Sequence, residues 1–249
     1  MLFPIRDHNP SRRTPYVVFA LLATNILVYL YDVAVVQPQG LLNWFYTEYA
    51  MVPIFISSGE GYQGLFTYMF LHAGFLHLAG NMLFLWIYGD NMEDEMGHLP
   101  FLAFYLASGL GAALAQYAAE PYSNVPMVGA SGAIAGVMGG YLLMFPKARI
   151  DILFFLVIFF RIFPIPAWIV LGLWLGMQIV GGFSTPLDGG GVAYWAHLGG
   201  FIVGVLLTLV LWLRRGGMAY WDRNHGHAPH PETHYVLNDS RIPTVRRRR

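Results

Sequence analysis

Long apolar blocks separated by short polar segments make up most of this chain. A membrane-spanning helix needs about 20 predominantly apolar residues, and six blocks approach or exceed that length. They cover residues 15–36, 65–89, 99–119, 127–145, 165–183 and 192–213. The pattern predicts an all-α membrane protein in which residues 15–213 form a bundle of six transmembrane helices.

The segments beside these blocks predict less regular structure. Residues 37–64 are rich in aromatic residues, glycine and proline, which indicates a structured loop or short interfacial helices. The apolar run 150–160 is too short to cross a bilayer, so we expect an interfacial or re-entrant piece on the cytoplasmic side. Residues 1–14 form a polar cytoplasmic segment, and residues 214–249 form a polar tail that we expect to be disordered.

The composition agrees with a membrane protein. Hydrophobic residues make up 56% of the chain and charged residues 11%, whereas a soluble domain carries about 25% charged residues. The chain contains no cysteine, which excludes disulfides, thiol catalysis and cysteine-ligated zinc.

The distribution of positive charge predicts the orientation in the membrane. With a cytoplasmic N-terminus, the six predicted spans place all 14 Lys and Arg residues on the cytoplasmic side, as the positive-inside rule expects. We therefore expect both termini in the cytoplasm and a multi-pass protein of the cell (inner) membrane. The arginine run 246–249 is interpreted as part of this bias rather than as a nucleic-acid-binding patch.

Two polar residues in different predicted spans lie at matching depth. If their helices begin at 127 and 192, Ser131 lies roughly 6 Å and His197 roughly 7.5 Å below the outer edge of the bilayer. A serine within reach of a histidine forms a nucleophile and general base. The structural alternatives are a serine bonded to its own helix backbone and a histidine with a packing partner on a neighbouring helix.

Glycines on the same two predicted helices favour a close approach. Gly200 and Gly204 share a helical face with His197, and Gly132, Gly136 and Gly140 form a ridge beside Ser131. Small residues at four-residue spacing let two membrane helices pack backbone to backbone. The same ridge is also common in ordinary helix packing, but here it would hold the hydroxyl near the imidazole.

A third element of the candidate site lies on the second predicted helix. His77 and Asn81 share one face of that helix. A helix that began at 65 would place His77 about 18 Å deep, whereas a break at 73–74 places it near 5 Å, level with Ser131. We therefore expect 65–73 to belong to the preceding loop and the helix to begin near Phe75. The two side chains would then donate to an oxyanion together with the backbone N–H groups of Ser131 and Gly132.

Three motifs in this order resemble those of the rhomboid intramembrane serine proteases. They are "FLHAGFLHLAGN" in the second predicted helix, "GASG" at the start of the fourth and "AHLGGFIVG" in the last. The resemblance implies a Ser–His dyad of Ser131 and His197 without a third acid, and oxyanion donors from His77 and Asn81. It also implies a site that opens to the extracytoplasmic side and substrate entry between helices two and five.

The chain departs from the family pattern at two places. Many relatives carry an aromatic residue four positions after the nucleophile, where this chain has Ala135, and a Trp-Arg pair in the first loop, where it reads "YQG". Asp188, in the loop before His197, is the one carboxylate that the sequence leaves open as a further partner. In the fifth predicted helix, Trp168, Trp174 and Gln178 are interpreted either as part of an entry gate or as ordinary packing and interfacial residues.

The function expected from the resemblance is hydrolysis of peptide bonds in or near transmembrane segments of membrane proteins. The alternative is an inactive rhomboid-like protein that binds membrane clients. The expected partners are transmembrane substrates and the lipid bilayer, without nucleic acid. No cofactor or metal is expected, because the zinc-binding motif H-E-x-x-H is absent. The tail contains four histidines, but it is predicted to be flexible; they are His225, His227, His230 and His234.

Overall fold

The computed structural model describes residues 2–9, 11–156, 159–185 and 191–227. Most of them are helical. The helices are α1 (Tyr16–Tyr31, continued by a π-helical turn over Asp32–Val36), α2 (Leu42–Tyr49), α3 (Pro53–Ser57), α4 (Gly64–Thr67, continued by a 3-10 turn over Tyr68–Phe70), α5 (Phe75–Met96), α6 (His98–Ala119), α7 (Ser131–Met144), α8 (Ala167–Ser184), α9 (Tyr194–Arg214) and α10 (Met218–Asn224). The strands are β1 (Leu2–Asp7), β2 (Arg149–Leu156) and β3 (Phe159–Pro166).

Among the described residues, four helices are long and apolar enough to cross a membrane. They are Tyr16–Val36, His98–Ala119, Ala167–Ser184 and Tyr194–Arg214. The pair Gly64–Phe70 and Phe75–Met96 is bent by 93° and makes a fifth if it counts as one span. The chain is therefore a multi-pass membrane protein, while the number of six crossings stays a prediction.

The fourth predicted span is shorter than expected. Helix α7 has 14 residues, roughly 21 Å at 1.5 Å per residue, against a hydrocarbon core of about 30 Å. Residues 127–130, predicted as helix, instead lie outside α7, and Met127 pairs with Met51 in an isolated β-bridge. Nearly all of α7 is buried, because its small side chains allow neighbouring helices to pack closely around it.

The break in the second helix is confirmed. Helix α5 begins at Phe75, and residues 64–70 form separate short turns that precede it. A single long helix would have carried His77 deep into the bundle. The bend keeps His77 in the first turn of α5.

Backbone contact joins α7 to α9 at the centre of the bundle. A Cβ atom added to Gly200 would collide with the carbonyl group of Gly132, and one added to Gly204 would collide with that of Gly136. The four glycines thus stand where the two helices touch. Gly140 also faces α9, through the side chain of Thr208, and it faces Met92 of α5 as well.

A three-stranded antiparallel sheet corrects the all-α prediction. The strand order is β1-β2-β3, with Pro4 opposite Ile152 and Ile152 opposite Phe163. The described residues of the run 150–160, predicted as an interfacial or re-entrant piece, are thus part of a sheet, and the N-terminal segment supplies its first strand. A short apolar run has the same local pattern whether it enters a membrane or pairs with a distant strand, so hydropathy did not separate the two.

The first part of the tail is ordered, contrary to the prediction of disorder from 214 onwards. Tyr220 on α10 is buried, and the indole Nε1 of Trp221 donates to the Leu143 carbonyl at 3.0 Å. These aromatic residues dock α10 against the end of α7. The rest of the predicted tail, residues 228–249 with His230, His234 and the arginine run, lies outside the described residues.

Candidate active site

Ser131 is the first residue of α7, which corrects the depth expected from a helix beginning at 127. Two backbone interactions hold the segment before it. Met127 and Met51 exchange backbone hydrogen bonds of 2.9 and 3.1 Å, and the N–H of Gly129 donates to the Tyr68 carbonyl at 2.9 Å. The serine therefore stands at a helix N-terminus, where backbone N–H groups lack acceptors within the helix and the helix dipole is positive.

The structure brings Ser131 and His197 into hydrogen-bond contact. Imidazole Nε2 of His197 lies 2.7 Å from Ser131 Oγ. Both side chains are half-buried and line one cavity. A hydroxyl at this distance from a ring nitrogen can transfer its proton as it attacks a carbonyl.

Two residues of α8 contact the other side of the imidazole. Nδ1 of His197 lies 2.8 Å from Gln178 Oε1. The Trp174 ring packs against the imidazole with 5.7 Å between centroids and 37° between planes. Trp174 thus supplies an aromatic contact to the histidine in a chain where Ala135 stands at the position that is aromatic in many relatives.

His77 and Asn81 line the same cavity from α5. A Cβ atom added to Gly129 would lie 2.6 Å from His77 Nε2 and 3.5 Å from Asn81 Nδ2. Both side-chain nitrogens therefore converge beside the backbone that leads into Ser131. The Nδ2 of Asn81 is buried and has no hydrogen-bond partner among the described residues.

The cavity has a volume of about 650 Å³ and is lined mainly by apolar side chains. Its polar lining outside the residues already described includes Gln116, Glu120 and Ser123. This volume accommodates an extended peptide of a few residues rather than a whole helix.

An amide, not a carboxylate, is the observed partner of His197 Nδ1. Asp188, which the sequence left open for this place, lies outside the described residues. Within the described ranges, no group of three or more His, Asp or Glu side chains is arranged to hold a metal ion.

The sequence offered Gln178 and Trp174 as gate or packing residues and did not predict their contact with His197. They are spaced by four residues and share one face of α8. The available signal was the polarity of Gln178 within an otherwise apolar helix, since a buried polar side chain in a membrane segment usually has a partner. Which partner it contacts depended on how α8 is placed against α9.

The first loop is held by other contacts where the family's Trp-Arg pair is missing. Gln63, in the "YQG" segment, donates from Nε2 to the Glu48 carbonyl at 3.1 Å. Thr67 Oγ1 donates to the Tyr49 carbonyl at 2.6 Å. Side-chain bonds to backbone thus anchor this loop against α2.

Comparison with known proteins points to one family. The family model of the Rhomboid domain matches residues 59–214. The chain is 34% identical over 143 residues to "Rhomboid protein 1, mitochondrial" of Saccharomyces cerevisiae, which covers 55% of this chain and 38% of the relative. It is 34% identical over 163 residues to "Rhomboid protease GluP" of Bacillus subtilis, covering 65% of this chain and 28% of the relative.

A longer alignment is found with "Rhomboid-like protein 11, chloroplastic" of Arabidopsis thaliana. The two chains are 29% identical over 210 residues, which covers 83% of this chain and 69% of the relative. In contrast, the chain spans less than half the length of the yeast and B. subtilis relatives.

Proposed function

Because the chain belongs to the rhomboid family, we propose that it is an intramembrane serine protease that hydrolyses peptide bonds in or near transmembrane segments of membrane proteins. The observation that carries this proposal is the 2.7 Å contact between Ser131 Oγ and His197 Nε2 at the wall of a cavity. An inactive family member has no need of a hydroxyl and an imidazole in this geometry.

The proposed reaction begins with proton transfer from Ser131 Oγ to Nε2 of His197. The oxygen attacks the peptide carbonyl carbon and forms a tetrahedral intermediate. The intermediate collapses when the imidazolium gives its proton to the leaving amine, which breaks the C–N bond and leaves an acyl-enzyme. Water then attacks the ester with His197 again as base, and Ser131 is regenerated.

The negative charge on the carbonyl oxygen requires donors close to Ser131. His77 and Asn81 converge on this backbone, and the amide Nδ2 of Asn81, which has no hydrogen-bond partner among the described residues, lies beside Gly129. The backbone N–H groups of Ser131 and Gly132 begin α7 and complete the proposed oxyanion site. Donors fixed before the reaction stabilise the intermediate without rearrangement.

The substrate must expose a backbone carbonyl that a regular membrane helix keeps in its own hydrogen bonds. The proposed substrates therefore have small or helix-weakening residues near the scissile bond. Lateral entry between α5 and α8 is supported by the limited burial of α8. In the apolar 18-residue stretch of this helix, 17% of the residues are buried, compared with 22% to 39% in the other three span candidates.

The proposed setting is the cell membrane, with six crossings, cytoplasmic termini and a site that opens to the extracytoplasmic side. The one-sided distribution of Lys and Arg supports this orientation. The lipid bilayer and transmembrane substrates are the proposed partners, and the dyad requires no cofactor.

The proposal is tested with purified protein in liposomes that contain a single-span reporter. Wild type is expected to cleave the reporter and to react with a fluorophosphonate, whereas Ser131→Ala and His197→Ala lose turnover by at least about 10³-fold. Ser58→Ala is the matched control, because Ser58 is exposed and its hydroxyl donates only to the carbonyl of Ile54 in the preceding helix α3. It should behave as wild type.

Equal turnover by wild type and the two dyad variants would contradict the proposal. Capture of the reporter without cleavage, and without fluorophosphonate labelling of Ser131, would instead identify a client-binding protein.

A further inference from the structure

Gln178 bridges α8 to the imidazole of the proposed dyad. Its side chain is 8% exposed, and its Oε1 lies 2.8 Å from His197 Nδ1. We propose that Gln178 is a positioning residue that holds His197 in the tautomer with its proton on Nδ1, so that Nε2 can accept the proton of Ser131. This inference rests on the proposed protease function, because it concerns the base of that reaction.

The orientation of the Gln178 amide follows from its second hydrogen bond. Its Nε2 donates to the backbone carbonyl of Trp174 at 3.2 Å. A carbonyl oxygen only accepts, so the NH2 group must face Trp174 and the amide oxygen must face His197. A flipped amide would place two oxygens against each other at this site.

The orientation of the amide determines where the histidine carries its proton. The amide oxygen of Gln178 only accepts, so Nδ1 of His197 must donate. A neutral imidazole with Nδ1–H has a free lone pair on Nε2. That lone pair faces Ser131 Oγ at 2.7 Å, so the hydroxyl donates to it. Each group thus donates to the next: the Ser131 hydroxyl to His197, His197 to the Gln178 oxygen, and the Gln178 amide to the Trp174 carbonyl.

Packing between α8 and α9 keeps the bridge in place. Gly181 stands directly against the Tyr194 ring, so that an added Cβ atom would collide with the ring. Phe183 and Trp195 make an edge contact with 5.2 Å between ring centroids. Trp174 also packs on Phe201, at 6.2 Å between centroids. These contacts fix the side of α8 that carries Gln178 against the helix that carries His197.

A neutral amide and a carboxylate would affect the charge state of His197 differently. An amide oxygen orients the imidazole without adding a full negative charge beside the imidazolium that forms during the reaction. Replacing it with a carboxylate should stabilise the imidazolium and keep the histidine protonated up to higher pH. The other titratable groups that line the cavity are Tyr46, Tyr68, His77, Glu120 and Tyr194, and all are present in each variant compared.

The test compares wild type with Gln178→Met, Gln178→Glu and Met177→Leu. Methionine fills a similar volume but lacks a strong acceptor, so Gln178→Met should lower kcat by roughly 10- to 100-fold with KM within about twofold. Fluorophosphonate labelling should slow by the same factor. Met177 is 62% exposed beside Gln178 on α8, and Met177→Leu should leave both rates unchanged.

Gln178→Glu supplies the readout that distinguishes positioning from packing. It restores an acceptor for Nδ1 but loses the bond to the Trp174 carbonyl, so its maximal activity should exceed that of Gln178→Met without reaching that of wild type, while the acid side of its pH profile should move to higher pH. A purely structural role predicts equal losses for both variants and an unchanged profile, which would overturn the proposal.

The histidine tautomer of the wild type can be read directly from ¹⁵N chemical shifts after selective labelling. We expect Nδ1 protonated and Nε2 free at neutral pH, and a mixture of tautomers in Gln178→Met. A proton on Nε2 in the wild type would overturn the proposal even if every variant at 178 misfolds. An active wild type that loses nothing in Gln178→Met refutes the positioning role alone, whereas a wild type that neither cleaves nor labels refutes the protease function.

Discussion

At the scale of single residues, the site depends on backbone positions as much as on reactive side chains. Gly129 precedes Ser131 by two positions and has φ +122°, a conformation that other residues rarely adopt. The space where its Cβ would stand is taken by the His77 ring. Glycine here lets the chain enter α7 in close contact with the proposed oxyanion donors.

Gly129→Ala is therefore expected to reduce kcat by about 10²-fold, because a shift near 1 Å in catalytic groups has effects of that size. Cleavage of the liposome reporter measures the effect. Gly59→Ala is the matched control: Gly59 also has a positive φ, +84°, but nothing lies within 4 Å of an added Cβ. Both variants strain the backbone, so equal activity of the two would show that contact with His77 is unimportant.

At the scale of elements, the contact between α7 and α9 sets the distance between the two halves of the dyad. Each helix carries one member, Ser131 or His197. The backbones touch at Gly136 and Gly204 further along the same helices. A side chain at this contact would force the two helices apart and so increase the distance between Ser131 and His197.

Gly204→Ala is expected to lower both stability and turnover. Its Cβ meets the backbone of Gly136, which has no flexible end to move aside, and overpacking of this kind costs about 1–3 kcal/mol. Thermal unfolding in detergent, measured beside reporter cleavage, tests both effects.

Gly172→Ala on α8 is the control for that variant. No atom beyond the neighbouring residues and backbone of its own helix lies within 4 Å of the added Cβ, and alanine favours a helix over glycine by about 1 kcal/mol. It should unfold at the same temperature as wild type or higher. A Gly204→Ala protein as stable as Gly172→Ala would contradict the close packing of α7 on α9.

At the scale of the whole molecule, α7 is anchored at its far end by the N-terminal strand. The Tyr141 hydroxyl donates to Asp7 Oδ2 at 2.7 Å and lies 2.5 Å from Asn9 Nδ2. Asn91 on α5 donates to the Asn9 carbonyl at 2.7 Å. Polar contacts thus join β1, α5 and α7 at the end opposite Ser131, although these segments are far apart in the chain.

Burial raises the pKa of Asp7 from 3.8 to about 6, and the hydrogen bond from Tyr141 offsets only part of that rise. The folded protein therefore holds this proton more tightly than the unfolded chain. The contribution of Asp7 to stability is greatest below pH 3.8 and is lost as pH rises to about 6.

Asp7→Asn keeps an acceptor for Tyr141 without the buried charge. Relative to wild type, the variant should gain stability as pH rises from about 4 to about 6, and the difference should then level off. The unfolding temperatures of both proteins across this range measure the difference and cancel the titrating groups that do not interact with Asp7, which leaves Asp90 as the one coupled carboxyl among the described residues. A difference that does not change with pH would contradict the burial of this carboxylate.

The local sequence determined much of the framework and the main reactive residues. Hydropathy is a property of neighbouring residues, so it was enough to predict the four long apolar helices, and the expected depth of His77 predicted the start of α5 at Phe75. Ser131, His197, His77 and Asn81 were named from motif and spacing, and the structure places all four around one cavity. Their catalytic roles stay predictions.

Only the tertiary structure decided how distant segments meet. Residues 150–154 became part of a sheet because β1 pairs with them from the N-terminal segment, and α10 became ordered because Trp221 reaches the backbone of α7. Gln178 became the partner of His197 because α8 packs on α9 in one particular rotation. Hydrogen bonds and ring contacts between separate elements leave no periodic signal in the local sequence, whereas burial of an apolar helix in lipid depends on that sequence alone.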